Sequence, residues 1–167
     1  LIRTFDVDLA ASFAPPSAKH WLGADQFGRD VLCRAIQGGR ISLPVGALSV
    51  VAAVLPGLWL GLVAGYYGGW FDTAISYMTN VMLSFPSILM ALLIIAWLGP
   101  GLGNAMFAIG LTGIPRYVRM ARGSAAQLER AWFVRAARIV GCTDRRILFR
   151  HILPNVLPTI IALAALD

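Results

Sequence analysis

Residues 41–66 read ISLPVGALSVVAAVLPGLWLGLVAGY, without one charged side chain. As a helix this stretch extends about 39 Å, more than the roughly 30 Å hydrocarbon core of a bilayer. Pro44 falls in its first turn, where a missing N–H costs little, and Pro56-Gly57 predicts a kink midway. Gly57, Gly61 and Gly65 recur every four residues, a spacing that lets a second backbone come close. The stretch makes the chain an all-α membrane protein.

The absence of charge continues on the C-terminal side. Between residues 41 and 114 the only charged residue is Asp72. The whole chain is 58% hydrophobic and only 13% charged, against about 25% charged in soluble domains. Tyr67-Gly68-Gly69-Trp70 reads as a turn in an interfacial aromatic belt. A second span, about 71–98, follows; it is bent at Pro86 or divides there into two helices. Ser76, Thr79 and Asn80 lie near one face of its first half, either lining a translocation pathway or bonding a neighbouring helix. After Gly99-Pro100-Gly101 a third span, 103–120, is expected to break near Gly113 and Pro115 and run on through Arg119 and Arg122 into water. A further span begins at about 155–167.

Upstream, residues 1–40 read as an external segment. Residues 1–20, with Pro15-Pro16, read as extended chain, and His20 as a surface loop residue. Gly23 and Gly28 punctuate a turn. Asp30 then opens a short amphipathic interfacial helix, with Val31, Leu32, Ala35 and Ile36 on one side, ending at Gly38-Gly39. Cys33 and Cys142 fall on opposite sides of the membrane, which argues against a disulfide. No Cys/His/Asp cluster has metal-ligand spacing. The chain starts without Met and stops inside an apolar run at Asp167, as expected of part of a longer protein.

Residues 128–158, LERAWFVRAARIVGCTDRRILFRHILPNVLP, are a basic island. Ala136-Ala137 offers a small pair on a first helix. Gly141 supplies a left-handed helix end. Thr143 or Asp144 can cap a second helix running from Arg145 to about Leu153. Nine of the fourteen Lys and Arg residues lie between 116 and 150, which places the loop 116–154 in the cytoplasm and residues 1–40 outside. A plain basic loop attracted to anionic lipid explains the charge but not the small pair, the glycine turn and the prolines at these offsets.

The island resembles the EAA loop of ABC importer permeases. That pattern is Glu-Ala-Ala, three residues, Gly, nine residues, a hydrophobic position, one residue, then Leu-Pro. Ala136, Ala137, Gly141, Leu153 and Pro154 fall on it. WLGADQFGRDVLCRAIQGGRISL, AGYYGGWFD, LSFPSILMALLI and FRHILPNVLP, in this order, are similar to the dipeptide/oligopeptide/nickel branch of the family. The resemblance implies a type I importer permease: a polytopic transmembrane helical bundle with an EAA-like cytoplasmic loop, 121–154, carrying the coupling helix. It implies one subunit of a permease heterodimer in a bacterial inner membrane, importing di- or oligopeptides. It also implies an external substrate-binding protein and two cytoplasmic ATPases that dock on Arg135, Ala136, Ala137, Gly141, Leu153 and Pro154. Arg135 stands where the pattern has Glu, Trp132 where an acid is usual, and His151 at the hydrophobic position. For Arg135 three readings stay open: a compensating acid in the ATPase, docking carried by the glycine turn and alanines, or an impaired copy.

No G-x-x-x-x-G-K-[ST] loop occurs, so this chain is expected not to bind ATP itself; the resemblance implies that ATP and Mg sit in the partner ATPase, with no cofactor or metal bound here. The spans hold no paired carboxylates and no Ser/His pair, which argues against a membrane enzyme. The aromatics sit in apolar runs and do not interleave the basic patch, which argues against nucleic acid. Two rivals remain: the same fold importing nickel or another small solute, and an ATP-independent channel or scaffold whose basic loop binds membrane lipid.

Overall fold

The computed structural model describes residues 7–167; residues 1–6 of the expected external segment lie outside the described residues. The chain forms two compact units, Leu1–Gly46 and Ala47–Asp167.

In the first unit the chain folds back on itself, where extended chain was expected. Asp8 N–H donates to Phe27 O (3.1 Å), Phe13 N–H to Asp25 O (3.1 Å) and Ala24 N–H to Ala14 O (3.0 Å). The hub is Asp25. Its Oδ1 accepts the Phe27 and Arg29 amides at 2.8 and 3.0 Å, and its Oδ2 accepts Arg29 Nε at 2.9 Å and the Arg34 guanidinium. Gly28 adopts φ +71°, and a Cβ there would lie 1.7 Å from Asp8 O, so glycine is required. His20 is not a bare surface residue: its Nδ1 lies 3.0 Å from Asp30 Oδ2. The other Asp30 oxygen accepts the Cys33 amide at 2.9 Å and caps the helix that follows.

Desolvation raises the Asp25 carboxyl, but the hydrogen bonds from Arg29, Phe27 and Arg34 outweigh it and hold the group well below the usual carboxylate range. A lowered folded-state value stabilises above the unfolded value and is lost as pH falls through the folded one. Residues 7–30 are therefore expected to keep protected Phe27 and Arg29 amides at about pH 4, the ordinary carboxylate midpoint, and to loosen only in stronger acid. Hydrogen exchange across that range checks this; loss of protection already at about pH 5 contradicts it.

Helix α1, Val31–Tyr67, is one helix of 37 residues. Gly38-Gly39 does not end a separate interfacial helix, and Pro44 lies well inside rather than in a first turn. Each glycine weakens a helix by about 1 kcal/mol relative to Ala, which the long hydrogen-bonded ladder on both sides tolerates. The second unit adds α2 (Gly69–Leu83), α3 (Ser87–Leu98), α4 (Leu102–Glu129), α5 (Trp132–Ile139), α6 (Asp144–Ile147), a π-helical turn Leu148–Ile152, and α7 (Leu153–Ala164). Among the described residues there is no strand, only an isolated bridge between Ala24 and Asp30.

The glycine spacing of α1 is used against α4. A Cβ at Gly57 would lie 2.6 Å from Tyr117 Cβ, one at Gly61 2.6 Å from Ala121 Cβ, and one at Gly65 2.8 Å from Ala125 Cβ. Both numberings rise together, so α1 and α4 run parallel with their backbones in near contact. α4 is continuous through Gly113 and Pro115, where a break was expected. Gly110 and Gly113 seat against Ala52 and Ala53 of α1, and this packing holds the helix across the missing proline N–H.

Parallel α1 and α4 require the chain between them to return to the side where α1 began. α2 and α3 are bent by 87° at Ser84-Phe85-Pro86. Asp72, in the first turn of α2, pairs with Arg122 near one end of α4, with Arg122 Nη2 to Asp72 Oδ2 at 2.8 Å. At the other end Asn104 Nδ2 donates to Leu98 O and Gly99 O at 3.1 and 3.0 Å. The bent pair thus connects the two ends of α4, and by length and apolarity it is a broken span or a re-entrant loop. By length and apolarity, Val31–Tyr67 and Asp144–Ala164 can each cross a membrane, and the bent pair makes a third candidate. α4 is not among them, because Arg116, Arg119 and Arg122 interrupt its apolar sequence.

Candidate docking site on the α5–α6 loop

α5 is short and two-faced. Val134 is fully buried and Ala137 packs against the same core, which also holds Leu62, Tyr66, Ala125, Ile147, Leu148 and Ile152. Each of Val134 and Ile147 contributes about 2 kcal/mol by leaving water. The opposite face carries Trp132, Arg135, Ala136 and Ile139 at helical spacing, with Val140 beside it. Trp132, Ile139 and Val140 are 80%, 86% and 83% exposed. The alanine pair is therefore divided: Ala137 faces in, and Ala136 forms the low centre of an outward apolar face with Arg135 at its edge.

Gly141, at φ +86°, ends α5. Cys142 N–H donates to Ala137 O at 3.0 Å, closing the turn in the manner of a Schellman end. Thr143 caps α6, its Oγ1 accepting the Arg146 amide at 3.4 Å. The second helix differs from the expected one. After α6 it widens into a π-helical turn in which Leu153 N–H donates to Leu148 O, and then continues as α7. Pro154 sits in the first turn of α7, and Leu153 is half-buried against the core. The widened turn accommodates the absent Pro154 N–H, so the prolines do not mark an exit from helix. Cys142 and Cys33 are both free.

Three residues that sequence spacing did not single out tie this loop to the helices. Tyr66, at the end of α1, donates its hydroxyl to Asp144 Oδ1 at 2.5 Å. The Arg138 guanidinium stacks 5.5 Å from the Tyr66 ring centroid and donates to Glu129 Oε1 of α4 at 2.8 Å. Tyr66 is thus held between both halves of the loop. Tyr66→Phe removes a hydrogen bond to a charged partner, worth about 1.5–3 kcal/mol. It is expected to lower the thermal stability of the full-length protein without altering membrane insertion. An unchanged unfolding midpoint would contradict the link.

Ser76, Thr79 and Asn80 line a cavity of about 50 Å³ together with Val118, Arg119 and Arg122. Thr79 bonds Ile75 O of its own helix at 2.7 Å, Ser76 bonds Asp72, and Asn80 Oδ1 accepts Arg119 Nη2 at 3.2 Å. The space suits a water or two rather than a peptide. No group of three or more His, Cys, Asp and Glu that could hold a metal occurs among the described residues.

Residues 57–167, which contain the Gly57, Gly61 and Gly65 contacts with α4 and the whole loop, match the family described as binding-protein-dependent transport system inner membrane component. The chain belongs to this family. Family members of this kind are transport subunits, not themselves catalytic. The chain is 48% identical over 151 residues to the dipeptide transport system permease protein DppC of Alkalihalophilus pseudofirmus, covering 90% of this chain and 50% of the relative. It is 42% identical to the glutathione transport system permease protein GsiD of Pectobacterium atrosepticum (87% and 48% covered). It is 41% identical to the probable D,D-dipeptide transport system permease protein DdpC of Escherichia coli (96% and 54% covered). The chain spans about half the length of the curated relatives it matches. As a member of this family it is a membrane protein, and it is all-helical in type, with no strand among the described residues.

Proposed function

We propose that this chain is the central part of one permease subunit in an ATP-driven importer of di- or oligopeptides. The observation that carries the reading is the outward apolar face of α5, a helix tied through Arg138 to the Tyr66 ring of α1 and to Glu129 of α4. Large apolar side chains exposed on a basic, water-side loop point to a protein partner. The partner is a cytoplasmic ATPase whose groove receives Trp132, Ala136, Ile139 and Val140 and sets a carboxylate against Arg135. Two such ATPases, a second permease subunit and an external binding protein complete the assembly. ATP and Mg are held by the ATPase; this chain holds no cofactor. The loop is cytoplasmic and residues 7–30 external, in line with the concentration of Arg in 116–150.

Movement of the ATPases would displace α5 and α6 as one body and carry α1 and α4 with them. Ser76, Thr79 and Asn80 would meet substrate only when α2 separates from α4 and the Asn80–Arg119 bond opens. The names of the relatives support a peptide cargo. The test is uptake of a labelled dipeptide by proteoliposomes holding the full-length subunit with its ATPases, second permease and binding protein. Uptake is expected only with ATP and binding protein present. Conductance by the permease alone would overturn the reading in favour of a channel. ATP-driven nickel uptake without dipeptide uptake would reject the peptide cargo.

A further inference from the structure

A second surface of the same loop faces a different way. Thr143, Arg145, Arg146, Phe149 and Arg150 line an open depression of about 360 Å³. None of the three arginines has a carboxylate partner among the described residues: Glu129 is taken by Arg138, and Asp144 accepts from Tyr66. The Arg145 guanidinium lies 6.0 Å from the Phe149 ring centroid, and Phe149 meets Trp59 of α1 edge-on at 5.3 Å. Trp59 ends a stripe of exposed apolar residues, Leu48, Val51, Leu55 and Trp59, at helical spacing on α1. From Leu48 to Trp59 the stripe runs about 17 Å, roughly half the hydrocarbon thickness of a bilayer.

We propose that this depression binds the phosphate of an anionic phospholipid, one acyl chain of which lies along the stripe. Guanidinium groups match a phosphate in planar, paired hydrogen bonds, and aromatic residues mark headgroup depth. Basic pockets at the cytoplasmic ends of membrane helices hold anionic headgroups in this way. The stripe favours a lipid over a free anion, because a free phosphate has nothing to place on Leu55 and Trp59. It also favours a lipid over the ATPase, whose apolar landing face is on α5. The inference rests on α1 crossing a membrane and not on which solute is carried.

The test uses the delipidated full-length permease complex, titrated separately with phosphatidylglycerol, phosphatidylcholine and inorganic phosphate and read by native mass spectrometry. Phosphatidylglycerol is expected to bind at least tenfold more tightly than either other probe. Arg145→Gln with Arg146→Gln and Arg150→Gln is expected to weaken it about 100-fold, at roughly fivefold per arginine. Leu55→Gln is expected to weaken phosphatidylglycerol and leave any phosphate binding unchanged. Should the triple variant fail to fold, Arg145→Gln alone is read for its fivefold loss. Equal binding of the two lipids overturns the proposal, as does phosphate binding as tightly as phosphatidylglycerol. So does a triple variant that keeps the lipid but releases the ATPase.

Discussion

Gly61→Val is expected to break the α1–α4 contact and with it the folded yield of the protein. The added Cβ would meet Ala121 Cβ and Val118 O, each at 2.6 Å, and Arg122 N at 2.9 Å. Two of these three are backbone atoms, which no rotamer change can move aside. Overpacking of this kind costs about 3 kcal/mol or more, a large share of a typical domain's stability. Inside a bilayer no hydrophobic effect presses helices together, so close backbone packing is much of what holds α1 to α4. The measurement is the monodisperse fraction and unfolding midpoint of full-length protein in detergent. Gly46→Ala, on the same helix with nothing within 4 Å of its Cβ, is the control and should cost no stability, gaining up to about 1 kcal/mol from helix propensity. Wild-type behaviour from Gly61→Val would mean the two helices do not pack as described.

Gly141→Val is expected to separate ATP hydrolysis from transport while leaving the membrane helices assembled. No atom lies within 4 Å of a Cβ at Gly141, so the change produces no clash. The strain is entirely in the backbone: φ is +86°, a region that costs an L-residue about 1–2 kcal/mol, and more for a β-branched one. The turn would relax by releasing the Cys142–Ala137 bond and rotating α5 away from the Thr143 cap. Transport should fall roughly tenfold, the equivalent of about 1.4 kcal/mol at the docking face, with insertion unchanged. Gly141→Asn, a residue that tolerates this φ, should retain most activity. Full transport by the valine variant would remove the glycine turn from the coupling route.

Much of this was legible because membrane helices write their pattern in long uncharged runs. The run from residue 41 gave α1, and the four-residue spacing of Gly57, Gly61 and Gly65 gave a contact face, though not its partner. Helix ends were harder. Gly38-Gly39 and Pro115 look like breaks, yet both lie inside helices: each glycine costs only about 1 kcal/mol, which the continuous ladder tolerates, and the larger cost of about 3 kcal/mol at Pro115 is offset where α4 packs on α1. The π-helical turn before Pro154 has no composition signature; it arises from two hydrogen-bond registers meeting at a missing donor. Residues 7–30 carry no period, so their fold around Asp25 was invisible until its hydrogen bonds were seen. At the loop, Gly141 and the small pair were readable, whereas the division of Ala136 from Ala137 between two faces depends on α5's rotation. Tyr66 was missed because its partner Asp144 lies far along the chain; an aromatic at the end of an uncharged span, facing an acid in a basic loop, was the available signal.

The central claim is that the outer face of α5 rests on an ATPase. A photo-crosslinking residue at Ile139, the last residue of α5 and 86% exposed, tests it in the assembled full-length complex. The expected product is a covalent adduct with the ATPase chain, absent when the crosslinker replaces buried Val134. Adducts only with lipid or with the second permease subunit would contradict the claim.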